Sequence, residues 1–290
     1  MAKINEIKEQ KTVVKSVGDF ANSLQQISAS RMAALRKTVL KSRRFVDETT
    51  AILRELRIEQ RRARQQELQK VIRNYKMSTN KHAIIVITSN QGLCGSYNSE
   101  IFKKLDVIVP QNKEADYFVL GTKGQEYFRR LVRKYGVKFY PYNIPEFLEI
   151  KHLQSLIRMF PRYDKINLVY SKYINPIVRE IIFEELTVPE NATEQSADLN
   201  AKTKFIFEPA IETLIDNVSG KLRYALFRQQ ILESKLALYA SQMIAMQTAT
   251  DNAKDLLKDL QLQYNKERRK LIDKKIQEVQ AGRALWADAD

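Results

Sequence analysis

The sequence predicts an α/β protein in which two long terminal helices pair as an antiparallel coiled coil around a central α/β domain. Three observations carry this: the placement of proline and glycine, a heptad pattern toward the C-terminus, and short apolar runs alternating with helical patterns in the middle. All seven prolines lie between Pro110 and Pro209, and the glycines cluster mainly in the same region. Because these two residues interrupt helices, both ends of the chain are free to be continuous.

From Ile4 to Ile72 the chain is dense in Lys, Arg, Gln, Glu, Leu and Ala, all good helix formers, and only Gly18 interrupts it. An unbroken helix of that length would reach about 100 Å at a rise of 1.5 Å per residue. Its apolar positions are Ile7, Val14, Val17, Ala21, Leu24, Ile27 and Leu35. Near the other end, Leu222, Leu236, Met243, Leu257, Tyr264 and Leu271 share one heptad position. Ala225, Leu232, Tyr239, Met246, Ala253 and Leu260 fall three residues on. That is a coiled-coil seam, and the N-terminal stripe is its natural partner. Glu267 and Lys274 occupy seam positions, so pairing is expected to stop near Tyr264 while the helix continues alone. The same stripes also suit the core faces of a helical bundle.

The middle has a different pattern. His82–Thr88, Asp116–Gly121, Val137–Tyr142 and Lys165–Tyr173 read as strands; Asn98–Leu105, Lys123–Tyr135 and Ile144–Phe160 read as helices. Such alternation predicts a mostly parallel sheet. Glu190–Lys204 is polar and reads as a mobile loop before a last strand, "FIFEP" at 205–209. The expected division is residues 1–78 for the first helix, 79–209 for the α/β domain, and 210–290 for the C-terminal helix that pairs with the first.

With 49 Lys and Arg against 34 Asp and Glu, the formal charge is +15. This calls for polyanionic company: nucleic acid, an anionic membrane surface or an acidic protein cavity. One cysteine excludes an internal disulfide framework and a multi-thiolate metal site, and two histidines, His82 and His152, argue against zinc. No run of about 18 apolar residues is present, and "MAKINEIKEQ" lacks the apolar core of a signal peptide, so a cytosolic chain is expected. The basic segment "RIEQRRARQQELQKVIRNYK" mixes Glu into its charge and has few aromatics for base stacking, which suits a solvated helix face.

The loop "SNQGLCGSYN" at Ser89–Asn98 lies between an expected strand and an expected helix. It has neither G-x-G-x-x-G nor the Gly-Lys-Ser/Thr ending of a phosphate loop, so a turn is the simpler reading, with Gly92 and Gly95 making it and Asn98 or Ser99 capping the helix. Cys94 has no base at a recognisable spacing and is expected to be buried. Glu184 and Glu185 sit in ordinary charged context, and no set of residues is placed for acid–base work.

The chain resembles one family along its whole length: the gamma subunit, or central rotor shaft, of the F-type ATP synthase. The loop carries Gly-Leu-Cys-Gly at Gly92–Gly95. The C-terminal signature is matched at Met243, Ala245, Met246, Ala249, Asn252, Ala253, Leu260, Leu262, Tyr264, Asn265 and Arg268, and the N-terminal one is echoed by "SASRM" at Ser28–Met32. The resemblance implies a shaft of two helices inside a hexamer of alpha and beta subunits. The α/β domain would be a Rossmann-like foot, without a nucleotide site, against the epsilon subunit and the membrane c-ring. It implies no catalytic residue, cofactor or metal, since ATP chemistry belongs to the beta subunits, and no nucleic acid. Contact with the membrane would be indirect, at the cytoplasmic face of a bacterial plasma membrane. Candidate rotor–stator contacts are Leu24, Gln25, Arg31, Arg268, Arg269, Asp273 and Lys275; candidate foot contacts are Gln91, Leu93, Arg223 and Tyr224.

The chain departs from the family pattern in three places. Asp19 and Asn22 stand where lysines are usual, with Leu24 for a methionine. Arg269, Asp273 and Lys275 replace the usual Gln, Thr and Glu, which moves positive charge toward the tip. Lys221–Arg228, "KLRYALFR", replaces a segment typically rich in Glu and Ser. Two other readings predict different behaviour: a basic coiled-coil nucleic-acid binder would bind DNA or RNA in a salt-sensitive way, and a thiol enzyme would lose turnover on Cys94→Ser.

Overall fold

A computed structural model of the chain describes residues 2–66, 81–143, 153, 157–158, 160–186 and 210–287. The elements are α1 (Ala2–Gln66), β1 (His82–Ile87), α2 (Tyr97–Gln111), β2 (Asp116–Leu120), α3 (Thr122–Tyr135), β3 (Lys138–Tyr142), a 3₁₀ turn (Phe160–Arg162), β4 (Lys165–Tyr173), β5 (Arg179–Glu185) and α4 (Ile211–Ala287). They form two compact units, one of Met1–Ser30 with Gln242–Asp290, the other of Arg31–Ser241. Most of the expected helix Ile144–Phe160, the expected loop Glu190–Lys204, the strand at 205–209 and residues 67–72 of the expected first helix lie outside the described residues.

In the larger unit the sheet order is β3-β2-β1-β4-β5, parallel throughout except for the β4–β5 pair. The near-continuous apolar run of β1 follows from burial on both faces. Ile84 and Val86 join Tyr117, Val119 and Val169 on the side covered by α2 and α3, through Ile101, Leu105 and Phe128. Ala83, Ile85 and Ile87 join Phe118, Leu120, Leu168 and Tyr170 on the other side. Helix α4 feeds both cores, with Leu232, Leu236, Ala237 and Ala240 in the first and Phe227 and Ile231 in the second. A helix apolar on all sides is one buried on all sides.

The apolar face of α4 meets both α1 and the sheet. Leu222 and Ala225 pack on α1 through Val46 and Leu53, and Leu232 and Leu236 join a core that holds Val39 of α1, with Met32 and Leu35 against it, as well as the sheet residues. Heptad spacing marks one face of a helix and does not reveal what covers it. Strand β5 was not expected from the sequence. Its short "REIIFEE" pairs Ile182 with Tyr170 and Ile181 with Ser171, and its flanking charges reflect its position at the sheet edge. Helix α2 runs past Leu105 through Pro110, because Asn112 takes up two carbonyls at the helix end: its N–H donates to Val109 (3.1 Å) and its side-chain amide to Ile108 (2.9 Å).

In the smaller unit, partners along α1 and α4 run in opposite senses: Lys3 with Glu267, Lys11 with Gln261, Gly18 with Ala253, Gln25 with Gln247. The terminal helices are therefore antiparallel here. On α1 the buried line is Ile7, Ala21 and Ser28, with Val14 and Gly18 half-buried; Val17 and Ile27, expected in the seam, are 54% and 46% exposed. Gly18 does not interrupt the helix. A Cβ there would lie 3.1 Å from the Ala253 Cβ, so the glycine lets the two backbones approach. On α4 the seam runs through Met246, Thr250, Ala253 and Leu260 to half-buried Leu271, one turn beyond Glu267, which still reaches Lys3 at 3.4 Å. Residues 272–280 are exposed while the helix continues to Ala287.

Candidate functional site

The carboxyl ends of β1 and β4 flank the point where the strand order reverses, the position at which open α/β sheets take ligands. Here the chain's own groups meet at that point. The Ser241 hydroxyl of α4 donates to the Cys94 carbonyl (2.7 Å), the Tyr97 hydroxyl shares a hydrogen bond with Ser234 Oγ (2.7 Å), and Arg43 of α1 donates to the Tyr173 carbonyl (3.3 Å). The N-terminus of α3 is likewise taken up: the Gly124 N–H donates to Thr88 Oγ1 (3.0 Å), whose own hydroxyl donates to the Leu120 carbonyl (2.8 Å).

The loop after β1 is a turn, as its composition suggested, but it is built differently. Gly95 takes a left-handed conformation, and so does Leu93, with φ of 60°, while Gly92 does not. A leucine in that region is strained and is also 59% exposed. Asn98 does not cap α2: Ser96 holds the cap position without a side-chain bond. The Asn98 amide folds back instead, donating to Ser89 Oγ (2.7 Å) and Cys94 Sγ (3.2 Å) while its oxygen accepts from the Ser89 N–H (3.2 Å).

Cys94 is buried, and burial pushes its thiol up, against smaller opposing effects from Ser89 and Asn98. A raised thiol is mostly protonated at neutral pH and is a poor nucleophile. His82 is committed elsewhere, with Nε2 2.8 Å from Asn167 Oδ1, and His152 lies outside the described residues. Native Cys94 should therefore react with a thiol reagent at least about a hundredfold more slowly than after denaturation. Rapid stoichiometric labelling of the native chain would contradict this burial.

The structure separates the candidate contact residues into bands. Leu24 and Gln25 are half-buried in the seam, with Gln25 bonded to Gln247. Arg268, Arg269, Asp273 and Lys275 are exposed on α4, and Arg268 lies 21 residues beyond Gln247, about 31 Å along the helix. Arg31 belongs to the larger unit, its guanidinium 5.9 Å from the centre of the Tyr239 ring. The four foot candidates lie in two places. Gln91 and Leu93 lie on the loop bonded to Ser241, whereas Arg223 and Tyr224 sit 17 to 18 residues earlier on α4, about 25 Å away along the helix. Tyr224 is half-buried against the second core.

Sequence reasoning missed two groups. "GTKG" after β2 was a readable signal: Gly121 has φ of 103°, and a Cβ on it would lie 2.4 Å from the Thr88 carbonyl oxygen; one on Gly124 would lie 2.5 Å from Thr88 Oγ1. The Arg43–Glu233 pair (2.9 Å) joins residues 190 apart and has no local signal.

The ATP synthase family model matches residues 3–285. The ATP synthase gamma chain of Clostridium kluyveri is 30% identical over 285 residues, covering 95% of each chain. The chain belongs to the ATP synthase gamma-chain family. Its relatives include the ATP synthase gamma chain of Psychrobacter sp. strain PRwf-1, 29% identical over 302 residues, covering 98% of this chain and 99% of that one. In fold it is similar to a chain of the central stalk and c-ring structure of the Tetrahymena thermophila mitochondrial ATP synthase. That match has a TM-score of 0.55 and 19% identity, over 79% of this chain and 99% of that one. A chain of the Euglena gracilis mitochondrial ATP synthase matches at a TM-score of 0.53 and 13% identity, over 89% and 93%. As a gamma chain it is a subunit of a membrane-associated complex, and among its described residues no helix is long and apolar enough to cross a membrane.

Proposed function

We infer that this gamma chain is the central rotating shaft of an F-type ATP synthase, transmitting torque between the proton-driven membrane ring and the catalytic alpha/beta hexamer in synthesis or hydrolysis. The observation that carries the reading is the pair of terminal helices, of 65 and 77 residues, in a chain that matches gamma chains almost end to end. Two packed helices resist bending and twisting better than one, as a shaft must.

The surface of α1 supports a surrounding protein sleeve. Val13, Val17, Phe20 and Ile27 are exposed at helical spacing, on a face that does not meet α4. A solvated helix would not keep this stripe apolar. On α4, Ile272, Ile276 and Val279 form a second such stripe beyond the seam, among exposed basic residues. The partners in this reading are the alpha, beta and epsilon subunits and the c-ring, and the site of work is the cytoplasmic face of a bacterial plasma membrane. ATP chemistry lies on the beta subunits, in keeping with a sheet whose ligand-binding end is bonded to its own helices.

Rotation tests the function. A bead attached through Lys104→Cys, exposed on α2, in a Cys94→Ser chain assembled with alpha and beta subunits should turn in one direction on ATP, with three stops per turn. Steady ATP hydrolysis with a stationary bead would overturn the reading. The charges near the tip extend it: basic contact with the beta loops has moved from the lower shaft to α4. Replacing Arg269 and Lys275 by Gln should lower the pumping-to-hydrolysis ratio or the rate by about threefold, the scale of exposed ion pairs. The loss should fade at high salt. Unchanged activity and pumping at low salt would refute that role.

A further inference from the structure

Helix α4 carries four buried polar residues inside the larger unit, Gln230, Glu233, Ser234 and Ser241, and each bonds to a different element. Gln230 donates to Glu184 of β5 (2.8 Å), whose same oxygen accepts from the Tyr170 hydroxyl of β4 (2.9 Å). Glu233 pairs with Arg43 of α1 (2.9 Å) and accepts from Gln229 one turn earlier (3.0 Å). Ser234 meets Tyr97 of α2 (2.7 Å), and Ser241 meets the loop after β1 (2.7 Å). Arg43 also reaches the Tyr173 carbonyl, so one guanidinium ties α1 and α4 to the end of β4.

The pair is a poor source of stability, because the desolvation of Glu233 offsets its attraction to Arg43, whose side chain stays 37% exposed. Glu233 is only 3% exposed, and its second oxygen has no hydrogen-bond partner among the described residues. What such a pair supplies is direction. Apolar packing around α4 resists separation but discriminates weakly against small rotations of a helix about its own axis, whereas hydrogen bonds are lost when donor and acceptor turn out of line.

We propose that Arg43, Glu233 and the Tyr173 carbonyl form a rotational key that fixes α1 and α4 to the sheet, so that torque on the α/β unit passes into the terminal helices without slip. This rests on the shaft reading and names positioning residues within it. The flanking bonds of Gln230, Ser234 and Ser241 hold α4 along its length, and Arg43 ties both terminal helices to the end of β4.

The test is made in the intact ATP synthase, reconstituted in vesicles, by measuring protons pumped per ATP hydrolysed. Arg43→Met with Glu233→Leu removes both charges and fills their space with apolar atoms, so the chain should assemble with an unchanged or raised thermal midpoint. Hydrolysis should persist while the pumping ratio falls about threefold or more, the scale on which residues along a coupling route act. A wild-type ratio in the assembled double variant overturns the key. Should that variant not assemble, Arg43→Lys carries the test: it keeps the charge but not the planar fork that reaches the carbonyl, and about a twofold loss is expected. An unchanged ratio there also overturns the proposal. The wild-type enzyme measured alongside separates the two claims, since failure of the wild type to pump would sink the shaft reading itself.

Discussion

Replacing Gly121 by alanine should cost the chain about 3 kcal/mol or more, enough to leave little soluble, assembled protein. Two causes act at one atom. The backbone φ of 103° is a region L side chains rarely enter, and the new Cβ would lie 2.4 Å from the Thr88 carbonyl oxygen. That oxygen cannot move aside cheaply, because it terminates β1 at the centre of the sheet. Gly124→Ala should be nearly as damaging, its Cβ falling 2.5 Å from Thr88 Oγ1 and 2.8 Å from Val119 Cγ1. The other glycines set the scale. Gly136 has φ of 70° but open space, so alanine should cost only about 1 kcal/mol. Gly220, inside α4 with nothing within 4 Å, should gain up to about 1 kcal/mol as alanine. Denaturant unfolding of the four variants, followed by circular dichroism, checks the ranking. Equal stability for Gly121→Ala and Gly136→Ala would show that the Thr88 contact is not as tight as described.

Gly18→Leu should open the terminal helix pair. A Cβ alone would sit 3.1 Å from Ala253 Cβ, which a shift of a few tenths of an ångström relieves, so Gly18→Ala should be close to neutral. A leucine adds three more carbons at the same contact, and overpacking of this kind costs about 1–3 kcal/mol. The strain should fall on the flanking pairs, Lys11 with Gln261 and Gln25 with Gln247. Spin labels at Lys11→Cys and Gln261→Cys in a Cys94→Ser chain should show a longer, broader distance for leucine and an unchanged one for alanine. In the reconstituted enzyme, ATP-driven pumping should fall with leucine while hydrolysis continues. Unchanged distance and pumping with Gly18→Leu would mean that the close approach at Gly18 does not hold the pair.

The fold class was legible because its signals are local or periodic. The apolar runs of β1, β2 and β4 and the helical patterns of α2 and α3 identified the layered sheet, and the confinement of proline to Pro110–Pro209 left the terminal helices unbroken. What was not legible depended on neighbours far away in sequence. Val17 and Ile27 fit an apolar stripe on α1, yet which of two adjacent stripes meets α4 is decided by the close approach at Gly18. Leu232 and Leu236 kept heptad spacing while packing in one core with both the sheet and Val39 of α1. Asn98 had the composition of a cap but was drawn back by Ser89 and Cys94. The contact residues carried over by resemblance are spread along the terminal helices and the loop after β1, and Arg43–Glu233 links residues 190 apart with no local sequence pattern. Resemblance identified the family; the internal joints required coordinates.

Whether this chain is the shaft of a rotary ATP synthase is decided by its stoichiometry in the native complex. The chain would be tagged in its host, isolated from solubilised membranes, and its partners identified and counted by native mass spectrometry. One copy is expected with three alpha and three beta subunits, together with epsilon and the c-ring, and ATPase activity in the same fraction. A monomer, or a nucleic-acid complex without those subunits, would contradict the shaft reading.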